Sequence, residues 1–326
     1  MVRIRKYLFS LCSLFKPAET LFCVSRPLLP ASIFQGVAPR LTSLQLEAVL
    51  PGTDLASAFS KVRTVEIGCD RCAEVANESF DLTRHFPSLA IPHIKVDTLS
   101  GALRNSMVHM DRCQSLHIQF LHDEIYIEPF VRTLTWPTRV SLRSTDGVCA
   151  RLKVTSADKR TRLFVVYARD GSFATMASQL TSLAPLVTKL EADHNLLDAI
   201  PILLPSLPEL RYLRVHASKA SCAPLRTPLT PTTSVSRCTD LHTVTILLDE
   251  DLDASKATTS SNLSAKLNVI DPGSGEYTLT ICTPAEKSIF AVEGRAWGSL
   301  GAAIDALYLK HTRSADNDGS DVPPTA

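Results

Sequence analysis

The chain contains one Cys-x-x-Cys motif, at Cys69 and Cys72, which is the pattern that could begin a zinc site or a dithiol redox centre. Such a zinc site needs four ligands, and no second cysteine pair or histidine pair follows Cys72 at the separation of roughly 12–20 residues that such sites use. The motif therefore favours an ordinary turn after a strand, where a small, partly buried residue is common. A small metal- or redox-active protein that uses Cys69 and Cys72 stays open as an alternative.

Two further segments resemble ligand-binding loops but lack their defining residues. The acidic run Asp249, Glu250, Asp251 and Asp253 has neither the glycine at the sixth position nor the closing glutamate of a calcium loop, so it predicts a solvated edge. The segment DPGSGEY, residues 271–277, lacks the third glycine and the following lysine of a phosphate-binding loop. It predicts a turn before a strand.

Hydrolytic chemistry has no candidate residues in the sequence. The nine histidines are dispersed, and neither Gly-x-Ser-x-Gly nor His-Glu-x-x-His occurs. We therefore predict a protein that is not an enzyme, with no catalytic residue, no metal ligand and no cofactor.

Charge, hydropathy and cysteine usage exclude several classes of protein. The chain of 326 residues carries 34 Lys+Arg against 33 Asp+Glu, so it lacks the overall basic field that favours nucleic acid or an anionic membrane. No stretch approaches the ~20 apolar residues of a transmembrane helix. The nine cysteines are odd in number and irregularly spaced, which argues against a disulfide framework and for a reducing compartment, cytoplasmic or nuclear.

The two ends of the chain differ from the rest in composition. The N-terminal sequence MVRIRKYLFSLCSLF combines basic residues with an apolar run of about nine residues, which is short for a signal peptide and lacks a clean small-x-small cleavage site before Lys16. A secreted repeat protein stays open as an alternative. The tail, residues 313–326, is small, polar and acidic, and it is predicted to be disordered.

One spacing recurs along most of the chain. An apolar-x-x-apolar-x-apolar template begins at twelve positions, mostly 21 to 31 residues apart; Pro137 and Glu276 break its first position, but its fourth and sixth positions hold. Its first residues are Ala18, Leu41, Val62, Ile91, Cys113, Pro137, Leu163, Val187, Leu210, Leu241, Glu276 and Ile304. This alternation predicts a strand at each position, with the fourth and sixth template residues turned inward.

Repeated units of this kind bury their apolar faces only by stacking on one another. The strands are therefore predicted to pair in parallel, with returning segments on the other side. Among these returns, GSFATMASQLTSLAPLV and AVEGRAWGSLGAAI are predicted to form helical turns. The long interval between Leu241 and Glu276 contains a Ser/Thr-rich insertion, residues 253–268, which offers little to bury and is expected to be mobile.

Residues 187–215, VTKLEADHNLLDAIPILLPSLPELRYLRV, resemble leucine-rich repeats and carry asparagine at the ninth position, Asn195. The segments PASIFQGVAPRLTSLQLEAVL and FPSLAIPHIKVDTL resemble the repeat arrays of fungal F-box proteins. This resemblance implies an α/β leucine-rich-repeat-like solenoid, with parallel strands on the concave face and short helices or irregular segments outside. It also implies a non-enzymatic role in protein binding, as the substrate-recognition part of a ubiquitin ligase.

The array is expected to span residues 18–312 in about twelve irregular units, with residues 1–17 as a partial outer segment of a first repeat. No segment long enough for an F-box helix bundle precedes Ala18. Because an open end of a solenoid exposes a cross-section of its core, a partner or a missing segment is expected to cover the N-terminal end.

The outward positions of the predicted strands form a continuous concave surface in this architecture. They carry several Arg and Tyr side chains, which are enriched in interface hot spots. The predicted partner-binding residues are His117, Arg139, Arg143, Tyr167, Arg169, Tyr212, Arg214 and His216. Lys189, Glu191 and Asp193 interrupt the positive field, so the expected partner is a mixed-charge or acidic protein segment, and neither nucleic acid nor membrane is expected. Solvation alone is the competing explanation for polar residues at these positions.

Overall fold

The structure is a computed structural model of the chain. It describes residues 2–3, 28–29, 40–47, 50–51, 59–69, 85–96, 113–120, 125–145, 147–167, 170–218, 234–249, 257–282, 291–296 and 298–306. The chain divides into two compact units. Unit 1 comprises Met1–Leu134 and Asp158–Tyr167, and unit 2 comprises Thr135–Ala157 and Ala168–Ala326.

Strands outnumber helices in the described residues. The strands are β1 (Val2–Arg3), β2 (Leu28–Leu29), β3 (Ser43–Glu47), β4 (Leu50–Pro51), β5 (Thr64–Cys69), β6 (Ile91–Val96), β7 (Ser115–Phe120), β8 (Thr138–Thr145), β9 (Cys149–Thr155), β10 (Thr161–Tyr167), β11 (Val187–Asp193), β12 (Tyr212–Ala217), β13 (Ser236–Arg237), β14 (Thr243–Leu248), β15 (Ile270–Asp271), β16 (Tyr277–Cys282) and β17 (Ala291–Ala296). The helices are α1 (Glu128–Arg132), α2 (Asp170–Leu180), α3 (Ile200–Leu203), α4 (Ala257–Leu267) and α5 (300–306), with 3-10 turns at Ala184–Leu186 and His194–Ala199.

Unit 1 contains a parallel sheet. Its strands lie in the order β1-β3-β5-β6-β7-β10, and every neighbouring pair is parallel. Alternate side chains of β7 are buried, which is the two-residue period of a strand with one covered face. Leu116 and Ile118 are fully buried and pair with Arg162 and Phe164 of β10. Phe164 contacts Phe130 of α1, with ring centroids 6.3 Å apart, so α1 contributes to the same core.

Unit 2 contains a mixed sheet with a parallel centre. Its strands lie in the order β9-β8-β11-β12-β14-β16-β17, and the pairs from β8 to β16 are parallel. One buried row crosses these strands at Val140, Leu190, Leu213, Val244 and Leu279, each at most 1% exposed. Aliphatic side chains stacked in register in this way exclude water along the whole ladder, which is the main stabilising term for such a sheet.

The described part of the molecule is therefore an α/β fold with a mostly parallel sheet and few helices. Ten of the twelve predicted strands are present, from β3 to β16, and their fourth and sixth template residues are buried wherever those side chains are described. At Ile304 the template begins inside helix α5, residues 300–306, which buries Leu300 and Ile304 on one side. The strand predicted after it, with Leu307 and Leu309 turned inward, lies outside the described residues and stays a prediction. The template at Ala18 lies outside the described residues.

The prediction that all strands pair in parallel is wrong at β9 and β17. Both pair antiparallel, β9 with β8 and β17 with β16, although Ala291–Ala296 was expected to form a helical return. The reason is the length of the connections, since residues 146–148 and 283–290 are too few for the crossover that a parallel pair needs.

The predicted insertion, residues 253–268, contains helix α4. Leu263 and Leu267 are buried, and their four-residue spacing places both on one side of the helix. The expectation that this segment offers little to bury is therefore wrong for residues 257–267. Lys266 of the same helix pairs with Asp198. Residues 253–256 lie outside the described residues, and the expected mobility stays a prediction.

Two of the motifs lie at strand ends, and the turn predicted at the first of them stays a prediction. Cys69 is the last residue of β5, and Cys72 lies outside the described residues. In the segment 271–277, the Gly273 N–H donates to Asp271 Oδ1 at 2.9 Å, and Gly273 adopts a φ of +73°, a left-handed conformation that favours glycine. This segment is a turn that leads into β16 at Tyr277, as predicted.

Two further predictions concern the acidic run that begins at Asp249 and the absence of a transmembrane helix. Asp249 is exposed after β14, and Glu250, Asp251 and Asp253 lie outside the described residues. Across the described ranges, every helix is too short or too polar to cross a membrane.

Candidate functional site

In the unit 2 sheet, the less buried side of strands β9, β8, β11, β12 and β14 carries most of the predicted partner-binding residues, and we call this side of the five strands the polar face. Because side chains alternate along a strand, every second residue points to this side. It comprises Arg151, Lys153 and Thr155 of β9; Arg139, Ser141 and Arg143 of β8; Lys189, Glu191 and Asp193 of β11; Tyr212, Arg214 and His216 of β12; and Thr243, Thr245 and Leu247 of β14. Adjacent strands place these residues side by side in register.

A β-bulge at the start of β11 sets which of its residues reach the polar face. The register between β11 and β8 shifts between Val187 and Lys189, so Val187 and Thr188 are both buried. The Thr188 hydroxyl donates to the Thr138 carbonyl at 3.3 Å. After the bulge, Lys189 lies opposite Arg139. The extra residue thus brings the charges of β11 beside the arginines of β8, as bulges often do near functional sites.

Three arginines from two strands converge on the Glu191 carboxylate. Arg139 Nη2 donates to Glu191 Oε1, and Arg214 Nη1 donates to the same oxygen at 3.3 Å. Arg143 Nη2 lies 3.7 Å from Glu191 Oε2. We call Arg139, Arg143 and Arg214 the arginine cluster. Glu191 therefore organises the cluster instead of merely interrupting the positive field.

Asp193 is the second carboxylate of the polar face and fixes Arg143. Its Oδ1 accepts from Arg143 Nη1 at 2.7 Å, and its Oδ2 accepts from the Ser144 backbone N–H at 2.7 Å. The second contact satisfies a backbone donor of β8 through a side chain. Charge-assisted hydrogen bonds of this length are about twice as strong as neutral ones, so Arg143 is held in one geometry.

The carboxylates lie deep and the arginines stand over them. The side chains of Glu191 and Asp193 are 12% exposed, whereas those of Arg139, Arg143 and Arg214 are 53%, 32% and 48% exposed. An approaching molecule would meet guanidinium groups first. The polar face holds six basic side chains against two carboxylates, an excess of four positive charges; the basic residues are Arg139, Arg143, Arg151, Lys153, Lys189 and Arg214.

Sequence reasoning missed Arg151 and Lys153 because it missed β9. The signal was present, since Asp146-Gly147 is a hairpin turn dipeptide and the following residues alternate between apolar and polar. Gly147 adopts a φ of +64°, as such a turn requires. β9 lies between the template positions Pro137 and Leu163, so the recurring spacing does not include this strand.

His216 joins the network as a neutral acceptor. Its Nε2 lies 2.6 Å from Arg143 Nη2, and a guanidinium has only donors, so Nε2 carries no proton and the ring proton is on Nδ1. Burial and the nearby Arg143 charge lower the pKa of His216 below its ordinary value of 6.5, against the opposing effect of Glu191 and Asp193. The contribution of this lowered pKa to stability is fully present above 6.5 and is lost as the pH falls through the folded pKa.

We expect Arg143→Met to raise the pKa of His216, because the substitution removes a positive charge and the donor that requires a neutral Nε2. An NMR titration of the ring protons measures this shift. Arg211→Met is the matched control, since Arg211 pairs with Asp240 outside the network and its removal should leave the His216 titration unchanged. An unchanged or lowered pKa of His216 in Arg143→Met would contradict the assigned tautomer.

The predicted partner-binding residues do not all belong to this face. The structure brings together Arg139, Arg143, Tyr212, Arg214 and His216 in unit 2. His117 and Tyr167 belong to unit 1 and are half-buried, while Arg169 lies outside the described residues. Tyr212 is 47% exposed, and the Lys189 ammonium lies 5.0 Å from its ring centroid.

Metal binding and thiol chemistry gain no candidate from the geometry. Within the described residues, no group of three or more His, Cys, Asp or Glu side chains could hold a metal ion. Cys113 and Cys238 are buried, and Cys149 and Cys282 are partly buried. Burial raises the pKa of the Cys238 thiol to about 12, with a smaller effect from Asp271, which leaves it without nucleophilic thiolate.

Comparison with known proteins adds no family. Scans against protein-family models, curated proteins and solved structures each returned no match.

Proposed function

We propose that this protein is a non-enzymatic protein-interaction module, a leucine-rich-repeat-like solenoid whose polar face binds a mixed-charge or acidic segment of a partner protein. The observation that carries the proposal is the arginine cluster, in which two deeply set carboxylates hold arginines that remain exposed. Side chains fixed before binding lose less conformational entropy in the complex, so they bind more tightly than mobile ones.

Two further features support recognition over simple solvation. Solvation of a polar surface requires no fixed geometry, whereas Arg143 is held by Asp193 and His216 together. Tyr212 is exposed beside the cluster, and Arg with Tyr is the combination enriched in binding hot spots. The resemblance to the repeat arrays of fungal F-box proteins extends the proposal to substrate recognition in a ubiquitin ligase.

The proposal predicts a large loss of binding from Tyr212→Ala or Arg214→Ala. After a partner has been identified by pull-down, each substitution should weaken its affinity about thirtyfold, which corresponds to ~2 kcal/mol for a buried anchor. The melting temperature should stay nearly unchanged because both side chains are about half exposed. Isothermal titration calorimetry and thermal denaturation measure the two effects. Arg169→Ala is expected to behave in the same way.

The matched control is Arg132→Ala, which removes an exposed arginine that pairs with Glu128 within α1. This change should leave partner affinity as in the wild type. If both polar-face variants bind like the wild type and only changes elsewhere on the surface weaken binding, the proposed face is wrong.

A further inference from the structure

The arginine cluster contains more positive groups than the carboxylates that pair with it. Three guanidinium groups surround a single carboxylate, that of Glu191, and among the described residues only Arg143 has a second acidic partner, Asp193. Arginine presents a planar fork of donors that matches carboxylate and phosphate oxygens. The cluster thus has the composition of an anion-binding site in which a side chain of the same chain occupies the anion position.

We propose that Arg139, Arg143 and Arg214 form a binding site for a phosphoryl oxyanion, and that the Glu191 carboxylate is an intramolecular occupant which this ligand displaces from the guanidinium groups. The inference rests on the proposed function, because it uses the polar face and assigns the anionic group of the partner. It identifies this group as a dianion with three or more terminal oxygens.

The charge and geometry of the occupant favour a dianion over a second carboxylate. Glu191 is part of the chain and loses no translational freedom when it pairs with the arginines, whereas a free ligand does. A free monoanion that replaced Glu191 would bring the same single charge, so it would have no electrostatic advantage to offset this loss. A phosphoryl group carries nearly two negative charges at neutral pH and offers an acceptor oxygen to each of three guanidinium groups. The four excess positive charges of the polar face add a long-range attraction for the more highly charged ligand.

Displacement is sterically open from the solvent side. Arg139 and Arg214 are about half exposed, so their outer donors can be reached while Glu191 lies beneath them. Asp193 can keep Arg143 in place during the exchange, because it holds Nη1 and leaves Nη2 to share between His216 and Glu191.

The test is Glu191→Gln, which keeps the size of the side chain and removes the competing charge. We expect its affinity for inorganic phosphate to exceed that of the wild type at least about tenfold, since three guanidinium groups then lack their shared carboxylate. Dissociation constants follow from NMR titration of arginine Nε–Hε signals at pH 7.5 and constant ionic strength. Glu209→Gln is the matched control, because it removes the same charge from an exposed pair with Arg211.

Parallel titrations separate the possible ligands. Acetate should gain much less than phosphate from Glu191→Gln, and an equal gain would overturn the dianion assignment. O-phosphoserine should bind at least as tightly as inorganic phosphate, which supports an esterified group on a partner, and binding of inorganic phosphate alone would overturn that source. Equal phosphate affinity in Glu191→Gln and Glu209→Gln would overturn the site itself.

A second variant keeps the site testable if Glu191→Gln does not fold. Arg214→Ala changes a half-exposed side chain and should lower the phosphate affinity of the otherwise wild-type protein about tenfold. An unchanged affinity would overturn the site. The outcome is independent of the proposed function: if phosphate titrations show no site but Arg214→Ala still weakens partner binding, only the phosphoryl assignment fails.

Discussion

Replacing Leu213 by alanine is expected to lower the free energy of unfolding of unit 2 by about 2–5 kcal/mol, the range for large-to-small changes in a packed core. Leu213 is 1% exposed and pairs in register with Leu190 and Val244, so the truncation leaves a cavity that both neighbouring strands line. Urea denaturation followed by tryptophan fluorescence measures the effect in this unit, because Trp136 belongs to it.

The adjacent residue provides the matched control. Tyr212 points to the polar face, and its interaction with Lys189 is worth about 0.5–1 kcal/mol at an exposed site. Tyr212→Ala should therefore cost about 1 kcal/mol or less, although it deletes more atoms than Leu213→Ala. Equal costs for the two substitutions would show that the strand does not alternate between a core side and a polar side.

The parallel centre of unit 2 was predictable because both of its features, the strands and their parallel pairing, follow from the positions of individual apolar residues. Leu190 and Ala192, like Leu213 and Val215, alternate with polar residues, the two pairs lie 23 residues apart, and both are buried. A period of two identifies the strand, and a recurring interval with room for a returning segment identifies parallel pairing. At these positions the residues that fit the alternating strand pattern are also the residues that pack in the core.

The helix α4 shows where composition misleads. Serine, threonine and lysine suggested a solvated insertion, but a helix needs only one apolar side to pack, and Leu263 and Leu267 supply it. The alternating template describes strands and therefore does not detect apolar residues four positions apart, which is the spacing of one side of a helix. The same four-residue spacing occurs in helix α5, which buries Leu300 and Ile304 on one side.

The sequence predicted several residues of the candidate site but not the ion pairs that join them. Outward positions on strands identified Arg139, Arg143 and Arg214, because the alternation fixes which side each residue faces. The role of Glu191 was not predictable, since it depends on the register between β8, β11 and β12. The bulge before Lys189 shifts this register by one residue, and no local pattern in the sequence announces it.

The register also gives Asp193 the largest expected effect among the polar residues. We expect Asp193→Ala to lower the free energy of unfolding of unit 2 by about 2–4 kcal/mol, because it leaves the Ser144 N–H without this acceptor and the Arg143 charge without its closest carboxylate. Asp193→Asn should recover about half of this loss, since the amide oxygen can still accept from the Ser144 N–H.

Asp240→Ala is the control that separates a partly buried network from a surface ion pair. Asp240 accepts from Arg211 Nε at 3.0 Å, but both side chains are more than a third exposed, so its removal should cost at most about 1 kcal/mol. Urea denaturation of the full chain, followed by tryptophan fluorescence, compares the three variants. If Asp193→Ala is no more destabilising than Asp240→Ala, Asp193 does not fix Arg143, and the exposed arginines of the polar face are not held in place before a partner binds.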